Sequence, residues 1–300
     1  LSGSMSHVHV IDGTAYDAST FGETDSTSGI WKIKTSPTVT YGTNGFFLKF
    51  EDRTNLDLDS GTNTFTDFVT TGTLTATYDN PSNNFATINP LDNFFAGSTF
   101  SNGNNTIATA NYAVNRCTFG LVRGKWYWET KCGDANPSWI QGITSKSSNT
   151  ASNYLGADKG DYGVFVNGDV YTNGSEVAYC NSITTNDVVG NYLDCDNNKF
   201  YIAINGTVQN SGTGITIVDA TSTFTQCYFP VIAEWSSSYN YTLHMNYGNG
   251  YFGTTAVTSA VADEGGIGAF EYDPSAGTFD GSSKDFRAIC TKNLKLYGGL

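Results

Sequence analysis

Charged residues and methionine are scarce in this chain. Lys, Arg, Asp and Glu make up 14% of its 300 residues and Met occurs only 2 times, whereas charged residues make up about a quarter of an ordinary soluble domain. Apolar runs are also short, since none approaches the roughly 20 residues that a membrane-spanning helix needs. No capping box precedes an apolar run with helical periodicity. The sequence therefore disfavours a helical fold and membrane insertion.

Positive charge is scarcer still. Against 28 Asp and Glu residues stand 15 Lys and Arg, for a net charge of −13, and the basic residues form no cluster in the sequence. An acidic chain without a basic patch repels a phosphate backbone. We therefore expect no nucleic-acid partner.

Cysteines are few and widely spaced. None of the 6 belongs to a Cys-x-x-Cys pair, which disfavours a zinc site or a thioredoxin-like motif. Their even number permits disulfides, but the chain is longer than the small secreted domains that depend on such bonds. We therefore predict mostly free, buried thiols. The cysteines are Cys117, Cys132, Cys180, Cys195, Cys227 and Cys290.

Aromatic residues and glycine, by contrast, are abundant. The chain has 18 Tyr, 19 Phe and 33 Gly, a composition typical of β-strands joined by turns. Two Asn-Gly dipeptides, at 167–168 and 205–206, follow strand patterns and are preferred hairpin turns. Strands and turns at this spacing favour an antiparallel sandwich. The clearest predicted strands are residues 125–132, 138–143, 162–166, 169–171, 199–204 and 241–247.

The last of these strands alternates most regularly. Its odd-numbered positions, including Leu243 and Met245, are apolar or aromatic, and we expect them to face a core. Its even-numbered positions, including His244 and Asn246, are polar, and we expect them to face solvent. This pattern is typical of a sheet with one buried face.

A separate strand is predicted at residues 5–11. It has no obvious local partner, and an isolated strand needs a sheet supplied from elsewhere. His7 and His9 share one face of this strand, so three copies in a trimer would bring them together at an axial metal site. The simpler interpretation is a pair of solvent-facing or interface imidazoles.

Catalytic patterns are weak. Glycoside hydrolysis requires two carboxylates that face each other across a cleft, but Glu129, Glu176 and Glu234 belong to separate predicted elements. Residues 120–125 combine glycines with a lysine, yet the spacing is too short for a phosphate-binding loop, and Lys125 opens a strand instead of a helix. The sequence therefore predicts a protein without enzymatic activity.

Aromatic and acidic residues in the predicted loops are candidates for ligand binding. Rings that stack on a sugar, with Asn and Asp side chains that hydrogen bond to it, are suited to glycan recognition. The alternative is that the aromatic residues only pin the loops to the sandwich. The candidates are Trp139, Tyr154, Asp158, Asp161, Trp235 and Tyr239.

Two Asp-rich turns, at residues 57–59 and 194–197, offer hard oxygen ligands for calcium. Neither matches an EF-hand loop. Asp194 and Asp196 are more simply explained as turn formers before a hairpin. We therefore predict no metal site and no cofactor, with calcium as the alternative.

Five motifs follow one another in the second and third hundred residues. They are Gly-Lys-Trp-Tyr-Trp-Glu (124–129), Asp-Val-Val-Gly (187–190), Leu-Asp-Cys-Asp-Asn-Asn (193–198), Tyr-Phe-Pro-Val-Ile (228–232) and Asn-Tyr-Gly (246–248). In this order they resemble the SPRY domain, with Asn186 where the family's second motif has glycine. The resemblance implies a concanavalin A-like β-sandwich that binds partners and performs no chemistry.

Motifs of a narrower kind flank this segment. They are Val-Ile-Asp-Gly-Thr-Ala-Tyr (10–16), Tyr-Gly-Thr-Asn-Gly-Phe-Phe-Leu (41–48), Asn-Asn-Phe-Ala-Thr-Ile-Asn-Pro-Leu (83–91) and Gly-Ile-Gly-Ala-Phe-Glu-Tyr (266–272). These segments resemble parts of virion proteins of tailed bacteriophages, many of them marine. In such proteins a strand like residues 5–11 closes a preceding laminin-G-like module. We therefore expect residues 1–12 to be the terminal strand of an upstream module.

The predicted fold is all-β, an antiparallel SPRY/concanavalin A-like β-sandwich with an N-terminal arm and a C-terminal extension. After the terminal strand, residues 13–105 form a turn-rich arm or linker with short strands. Residues 106–252 form the sandwich, and residues 253–300 form the extension.

The resemblance implies a non-enzymatic structural and recognition protein at the surface of a phage particle, in a fibre, an appendage or a head decoration. It would assemble with copies of itself, as a trimer by analogy with fibres, and with other virion proteins. Its loops would meet a host surface glycan or protein. One alternative is a glycan-binding adhesin module of a secreted bacterial protein, which predicts bonded cysteines. A second is a polysaccharide-degrading tailspike.

Overall fold

The chain divides into two units, Leu1–Asn84 and Phe85–Leu300, in the computed structural model. Regular structure is mainly β-strand in both, and the all-β prediction is confirmed. Among the described residues no helix is long and apolar enough to cross a membrane. The structure describes residues 5–26, 29, 31–51, 55–62, 68, 78–79, 83–94, 97–133, 139–146, 154–235 and 241–298.

The first unit contains two small antiparallel ribbons. β1 (Val8–Val10) pairs with β4 (Phe46–Leu48). After the one-turn helix α1 (Ala18–Phe21), β2 (Gly22–Thr24) pairs with β3 (Trp31–Ile33). The sheet partner of the terminal strand therefore lies within the same chain, and the expectation that it comes from elsewhere is wrong. The proposed upstream laminin-G-like module stays a prediction.

Both histidines of the predicted terminal strand pack among aromatic rings. His9 stacks on Phe47 with 3.9 Å between ring centroids, contacts Phe21 at 4.9 Å, and has Nδ1 3.0 Å from the hydroxyl of Tyr41. The side chain of His7 is 3% exposed, and its ring also contacts Phe47. His7 is thus buried instead of facing solvent, and His9 is half-buried against these rings. Within the described part of the chain, no group of three or more His, Cys, Asp or Glu side chains is placed to hold a metal ion.

The second unit carries all the remaining elements. Its strands are β5 (Ile88–Phe94), β6 (Thr99–Ser101), β7 (Thr106–Ala108), β8 (Val114–Cys117), β9 (Lys125–Cys132), β10 (Trp139–Thr144), β11 (Asp161–Phe165), β12 (Asp169–Thr172), β13 (Ser175–Ala178), β14 (Val188–Asp194), β15 (Lys199–Ile204), β16 (Thr207–Val208), β17 (Ile215–Thr216), β18 (Phe229–Glu234), β19 (Thr242–Asn246), β20 (Tyr251–Phe252), β21 (Thr255–Ala256) and β22 (Arg287–Ala288). Its helical turns are Asn210–Gly212, Ala220–Ser222, α2 (Thr291–Asn293) and Leu294–Gly298.

Two antiparallel sheets form the body of this unit. The seven-stranded sheet has the order β13-β12-β11-β10-β18-β8-β5. The nine-stranded sheet has the order β16-β15-β14-β9-β19-β7-β6, with β17 beside β15 and β22 running parallel to β9. The predicted antiparallel sandwich is confirmed. Because β5 and β6 belong to these sheets, the sandwich begins before the predicted boundary at residue 106.

Large aromatic side chains fill the space between the two sheets. Asn191 on β14 lies opposite Trp128 on β9, so both side chains point to the same face. On that face the Nδ2 atom of Asn191 lies 3.4 Å from Oε1 of Gln141 in the seven-stranded sheet. Trp128 stacks on Phe200 there, and both rings are buried. The alternation of β9 and β15 thus directs this aromatic pair into the sheet interface.

The C-terminal extension covers the outer face of the nine-stranded sheet. On this face Tyr127 contacts Phe270 with 4.7 Å between ring centroids. Tyr192 contacts Phe279 at 4.9 Å and Phe286 at 5.0 Å. The central strands of this sheet are consequently buried on both faces, which explains why they carry aromatic residues at consecutive positions.

A buried carboxylate joins the extension to the sheet. Glu129 on β9 is 0% exposed. It accepts hydrogen bonds from the backbone N–H groups of Glu271 (3.0 Å) and Tyr272 (2.9 Å), from Nδ2 of Asn246 (3.0 Å) and from the hydroxyl of Tyr127 (3.1 Å). Burial raises the pKa of Glu129 to about 7, although the donors oppose the shift. Because its donors come from the extension, from β19 and from β9, the side chain links segments that are distant in the sequence.

The predicted alternation of β19 is wrong at Asn246. It was expected to face solvent, but it is 0% exposed. Its Nδ2 donates to Glu129 and to the carbonyl of Ala269 (2.9 Å), while its Oδ1 accepts from the N–H groups of Gly248 (2.9 Å) and Gly250 (3.0 Å). The extension covers the face that the local pattern assigned to water.

A second buried acid organises the extension itself. Asp263 is 5% exposed. One carboxylate oxygen accepts from the N–H groups of Ile267 and Gly268, each at 2.8 Å, and the other accepts from Ala288 N–H and Asn293 Nδ2, each at 2.9 Å. The side chain thereby holds the turn after residue 263, β22 and α2 together.

All six cysteines are free thiols, and all except Cys180 are buried. The prediction of mostly free, buried thiols is confirmed. Burial raises the pKa of Cys117 to about 12, so this thiol stays protonated and unreactive at neutral pH.

We predict that Glu129→Gln destabilises the second unit. Glutamine replaces one acceptor oxygen by an amide donor, which leaves a buried N–H group facing another donor. The expected loss is about 1–3 kcal/mol in the free energy of unfolding, measured by denaturant titration. Limited proteolysis should also cut the extension sooner. Glu264→Gln, at an exposed position of the same extension, is the matched control, and equal stability of the two variants would contradict the anchoring role.

The raised pKa of Glu129 also predicts that the stability of the second unit depends on pH. The pKa of this carboxyl group is about 7 in the folded chain, against an ordinary value of 4.5. Its contribution to stability is therefore complete below pH 4.5 and is lost as the pH rises through about 7. We expect the pH profile of unfolding to lose this component in Glu129→Gln. A profile that is unchanged between wild type and variant would refute the assignment.

A second pH dependence is predicted for the first unit. Burial lowers the pKa of His7 and His9 from 6.5; Glu51 opposes the shift at His7, and Lys49 adds to it. Below pH 6.5 the unfolded chain takes up protons that the folded unit excludes, so stability falls on acidification. Hydrogen exchange of residues 5–51 should therefore accelerate below this pH, relative to intrinsic rates. His9→Phe should weaken the effect, whereas His244→Asn should not.

Candidate ligand-binding surface

Three aromatic side chains meet at one end of the seven-stranded sheet. Trp235 follows the last residue of β18 and is 37% exposed. Its ring lies edge-on to Tyr154, with 4.1 Å between centroids and an interplanar angle of 66°. It is also 6.0 Å from Tyr171 of β12 and 5.1 Å from Phe165 of β11. We call Tyr154, Tyr171 and Trp235 the Trp235 platform, with Phe165 packed against it.

A small hydrophobic cluster lies next to this platform on the outer face of the sheet. Tyr171 packs against it, and Leu155, the residue after Tyr154, is one of its members. Burial of this apolar cluster ties the loop segment that carries Tyr154 to the sheet. Its members are Val114, Ile140, Leu155, Phe165, Val231 and Ala233.

Gly156 allows the loop to approach β12 closely. The N–H of Gly174 donates to its carbonyl at 2.9 Å. Its φ is +99°, and a Cβ at this position would lie 2.4 Å from the carbonyl oxygen of Tyr171. Only glycine fits both the backbone conformation and the space. Tyr154 is thereby fixed beside Tyr171 and Trp235.

Two acids give one side of the platform an acidic character. Glu176 on β13 lies opposite Tyr171 in the strand register. Burial, together with a hydrogen bond to Glu176, raises the pKa of Tyr171 to about 12. Partial burial and a hydrogen bond to Glu176 likewise raise the pKa of Asp169. This edge therefore offers carboxylate and hydroxyl oxygens next to the aromatic rings.

The other acidic candidates lie in a separate ion-pair cluster. Lys146 Nζ is 2.5 Å from Oδ2 of Asp158 and 2.7 Å from Oδ2 of Asp161. The hydroxyl of Thr144 donates to Oδ1 of Asp161 at 2.6 Å. Asp161 is 0% exposed, and its burial raises its pKa. The structure thus places Tyr154 next to Trp235, whereas Asp158 and Asp161 form ion pairs with Lys146.

The last two candidates do not join the platform. Trp139 is 0% exposed and lies opposite Glu234 in the strand register, so its ring has no surface for a ligand in this structure. Tyr239 lies outside the described residues. Ligand binding by any of the six candidates stays a prediction. Tyr171 was not among them because its place depends on strand pairing, for which the local sequence carries no signal.

The Asp-rich turns bind their own backbone. Asp194 accepts hydrogen bonds from the N–H groups of Asp196 (3.0 Å) and Asn197 (2.9 Å). Asp59 accepts from the N–H groups of Phe47 and Gly61, each at 2.8 Å. The interpretation of Asp194 as a turn former is confirmed.

The glutamates considered for catalysis have different surroundings. Glu129 is 0% and Glu234 is 2% exposed, whereas Glu176 belongs to the exposed edge strand β13. Glu129 lies under the C-terminal extension, and Glu234 accepts from the hydroxyl of Thr109 (3.3 Å). Lys125 opens β9, as predicted, and its Nζ lies 2.8 Å from Asp285. These groups are engaged in structural contacts.

Part of the chain is similar to known proteins. Residues 125–250 match the SPRY domain family. Two similar solved structures are the SPRY domain of human HERC1 (13% identity, TM-score 0.42, 53% of this chain and 96% of that chain) and stonustoxin (16% identity, TM-score 0.42, 54% of this chain and 27% of that chain). The match thus spans about a quarter of stonustoxin. No curated protein matches the chain significantly.

The family match confirms the resemblance for the central part of the chain. SPRY-type β-sandwiches typically mediate protein–protein interaction. The matched segment begins at the start of β9 and ends just after β19, so it includes the strands that position the Trp235 platform. Residues 125–250 of this chain are a SPRY domain.

Proposed function

We propose that this chain is a non-enzymatic structural and recognition protein of a tailed-phage particle, displayed at the virion surface in a fibre, an appendage or a head decoration. Its recognition site is the Trp235 platform, which contacts a host surface glycan or protein. The observation that carries this proposal is the partly exposed ring of Trp235, held between Tyr154 and Tyr171 at one end of a SPRY-type sandwich.

The platform has the properties of a binding anchor. Among the described residues only five large aromatic side chains are exposed, and Trp235, at 37%, is the one held by two neighbouring tyrosines. Trp and Tyr are the residues that most often dominate binding energy at an interface. The neighbouring rings hold the indole before a ligand arrives, which lowers the entropy cost of binding.

The distribution of acids favours binding over hydrolysis. Glu129 and Glu234 are buried in structural hydrogen bonds, and Glu176 lies on an edge strand. Among the described residues these three glutamates do not provide the opposed carboxylate pair that a glycosidase requires. This arrangement supports a non-enzymatic function over the tailspike alternative.

Two features support a phage protein over a secreted adhesin. The motifs that flank the SPRY domain resemble those of phage virion proteins. The six free cysteines also suit a protein that folds in a reducing cytoplasm before assembly, whereas the adhesin alternative predicts disulfides. The proposed partners are further copies of the chain, as a trimer by analogy with fibres, and other virion proteins.

We predict that antibodies against the purified chain label intact particles of the phage that encodes it. Electron microscopy with a gold-conjugated antibody would locate the label on a fibre, an appendage or the head. Particles from which the gene has been deleted are the control. Label restricted to lysate debris, with none on the particles, would contradict the virion location.

We further predict that Trp235→Ala weakens binding of the purified protein to host cells by roughly tenfold or more. The substitution removes an aromatic anchor whose ring is already partly exposed, so the fold should be retained. Binding is measured by flow cytometry with fluorescently labelled protein.

Phe224→Ala is the matched control for this experiment. Phe224 is 79% exposed and precedes β18, whereas Trp235 follows it, so the two aromatic residues lie at opposite ends of the same strand. An equal loss of binding in both variants would rule out a specific role of the platform. If incubation with the wild-type protein shortened host polysaccharide, the proposal that the protein is non-enzymatic would be wrong.

A further inference from the structure

A fourth aromatic residue stands beside the Trp235 platform. β8 and β18 are antiparallel neighbours, with Val114 opposite Ala233. The N–H of Glu234 donates to the carbonyl of Ala113 at 2.9 Å, so the pairing continues by one residue. The next residues outward are Tyr112 and Trp235. They therefore occupy adjacent strand ends, although 123 positions separate them in the sequence.

Tyr112 is held in an unusual backbone conformation. Its φ is +55° and its side chain is 37% exposed. Non-glycine residues rarely adopt this left-handed conformation, and aromatic residues gain nothing from it locally. A turn in which the N–H of Ala113 donates to the carbonyl of Ala110 (2.9 Å) holds the backbone in place. Seven of the 12 described non-glycine residues with positive φ are Asn, which tolerates this conformation, so the Tyr at this surface position makes its side chain a candidate for function.

The rings of Tyr154, Tyr171 and Trp235 form a cluster, and the strand register places Tyr112 next to Trp235 on the far side from Tyr171; we call these four residues the aromatic row. Tyr171 is on β12, Tyr154 packs against it, Trp235 ends β18 and Tyr112 precedes β8. In the sheet order, β12 and β8 are separated by β11, β10 and β18. The rings of Tyr171 and Trp235 are 6.0 Å apart, and Tyr112 lies on the next strand beyond Trp235, about 4.8 Å further on. The row is therefore longer than a single sugar unit.

We propose that this row binds a linear, neutral glycan that lies across the strand ends, and that Tyr112 contacts the units farthest from Tyr171. This inference rests on the proposed recognition function, and it names the ligand class and a further specificity residue. Short glycans occupy the Trp235 platform alone. Longer glycans also reach Tyr112, so chain length determines whether Tyr112 contributes to binding.

Charge and hydrogen-bonding chemistry select the ligand class. Asp169 and Glu176 lie beside Tyr171, and the whole chain has a net charge of −13, so an anionic polymer is repelled. A sugar ring offers a C–H face to an aromatic ring and hydroxyl donors to the neighbouring carboxylates. A peptide without basic side chains offers only one backbone N–H per residue along the row. The chemistry of the row therefore favours a hydroxyl-rich neutral chain over such a peptide.

The test uses length series of neutral oligosaccharides. Disaccharides to hexasaccharides of four neutral classes (β-1,4-glucan, β-1,3-glucan, β-1,4-mannan and β-1,4-linked N-acetylglucosamine) are titrated into the full chain by calorimetry. We expect affinity to rise with length in at least one class. Tyr112→Asn should lower the affinity for the long members roughly tenfold and leave the short members unchanged. Trp235→Ala should weaken both.

The choice of variants separates loss of the ring from loss of the local fold. Asn tolerates positive φ, so Tyr112→Asn removes the ring while it keeps the turn. Tyr112→Phe keeps the ring and should retain most of the affinity for long members. Phe224→Ala, at the other end of β18, is the control and should behave as wild type.

Three results would overturn the inference. They are the absence of binding to every length series, a length dependence that Tyr112→Asn leaves unchanged, and Trp235-dependent binding only to peptides from an array of host surface proteins. None of them alone removes the proposed function, because host-cell binding that depends on Trp235 would still support recognition by the platform. If host-cell binding did not depend on Trp235, both this inference and the proposed function would be wrong.

Discussion

The fold of the second unit depends on one buried carboxyl group, that of Glu129. An isolated acid in an apolar interior is unfavourable, and this one is satisfied only if donors converge on it from several directions. Two of those donors, the N–H groups of Glu271 and Tyr272, belong to the C-terminal extension. The sheet therefore cannot bury Glu129 at low cost unless the extension docks. This requirement makes the SPRY domain and the extension a single cooperative structure.

Docking of the extension determines which surfaces remain for function. Tyr127 and Tyr192 are buried beneath Phe270, Phe279 and Phe286, so the outer face of the nine-stranded sheet is not free to bind a partner. The outer face of the other sheet carries its own apolar cluster, capped by the loop after Tyr154. Both broad faces are therefore covered within the chain, whereas Trp235, just beyond the end of β18, is partly exposed.

Local sequence predicted the strands well but not what covers them. β9 and β15 have the predicted bounds, since each has a strong aromatic alternation and a turn signal at its end. The prediction was wrong for Asn246, because its cover comes from a segment beyond the sandwich. The residues of the candidate site likewise differ in whether local sequence could identify them. Tyr154 and Trp235 were recognised as loop aromatics, whereas Tyr171 and Tyr112 join them only through strand pairing.

The acidic composition also has a structural explanation. An all-β chain with many turns leaves backbone N–H groups that no strand partner satisfies, and a carboxylate is the strongest side-chain acceptor for them. Asp59, Asp194 and Asp263 each accept two or more such groups, and Glu129 does the same between segments. Acidic side chains therefore supply many of the acceptors for backbone N–H groups in this chain. The same bonds join segments that are far apart in the sequence, as Asp263 does for the turn after residue 263, β22 and α2.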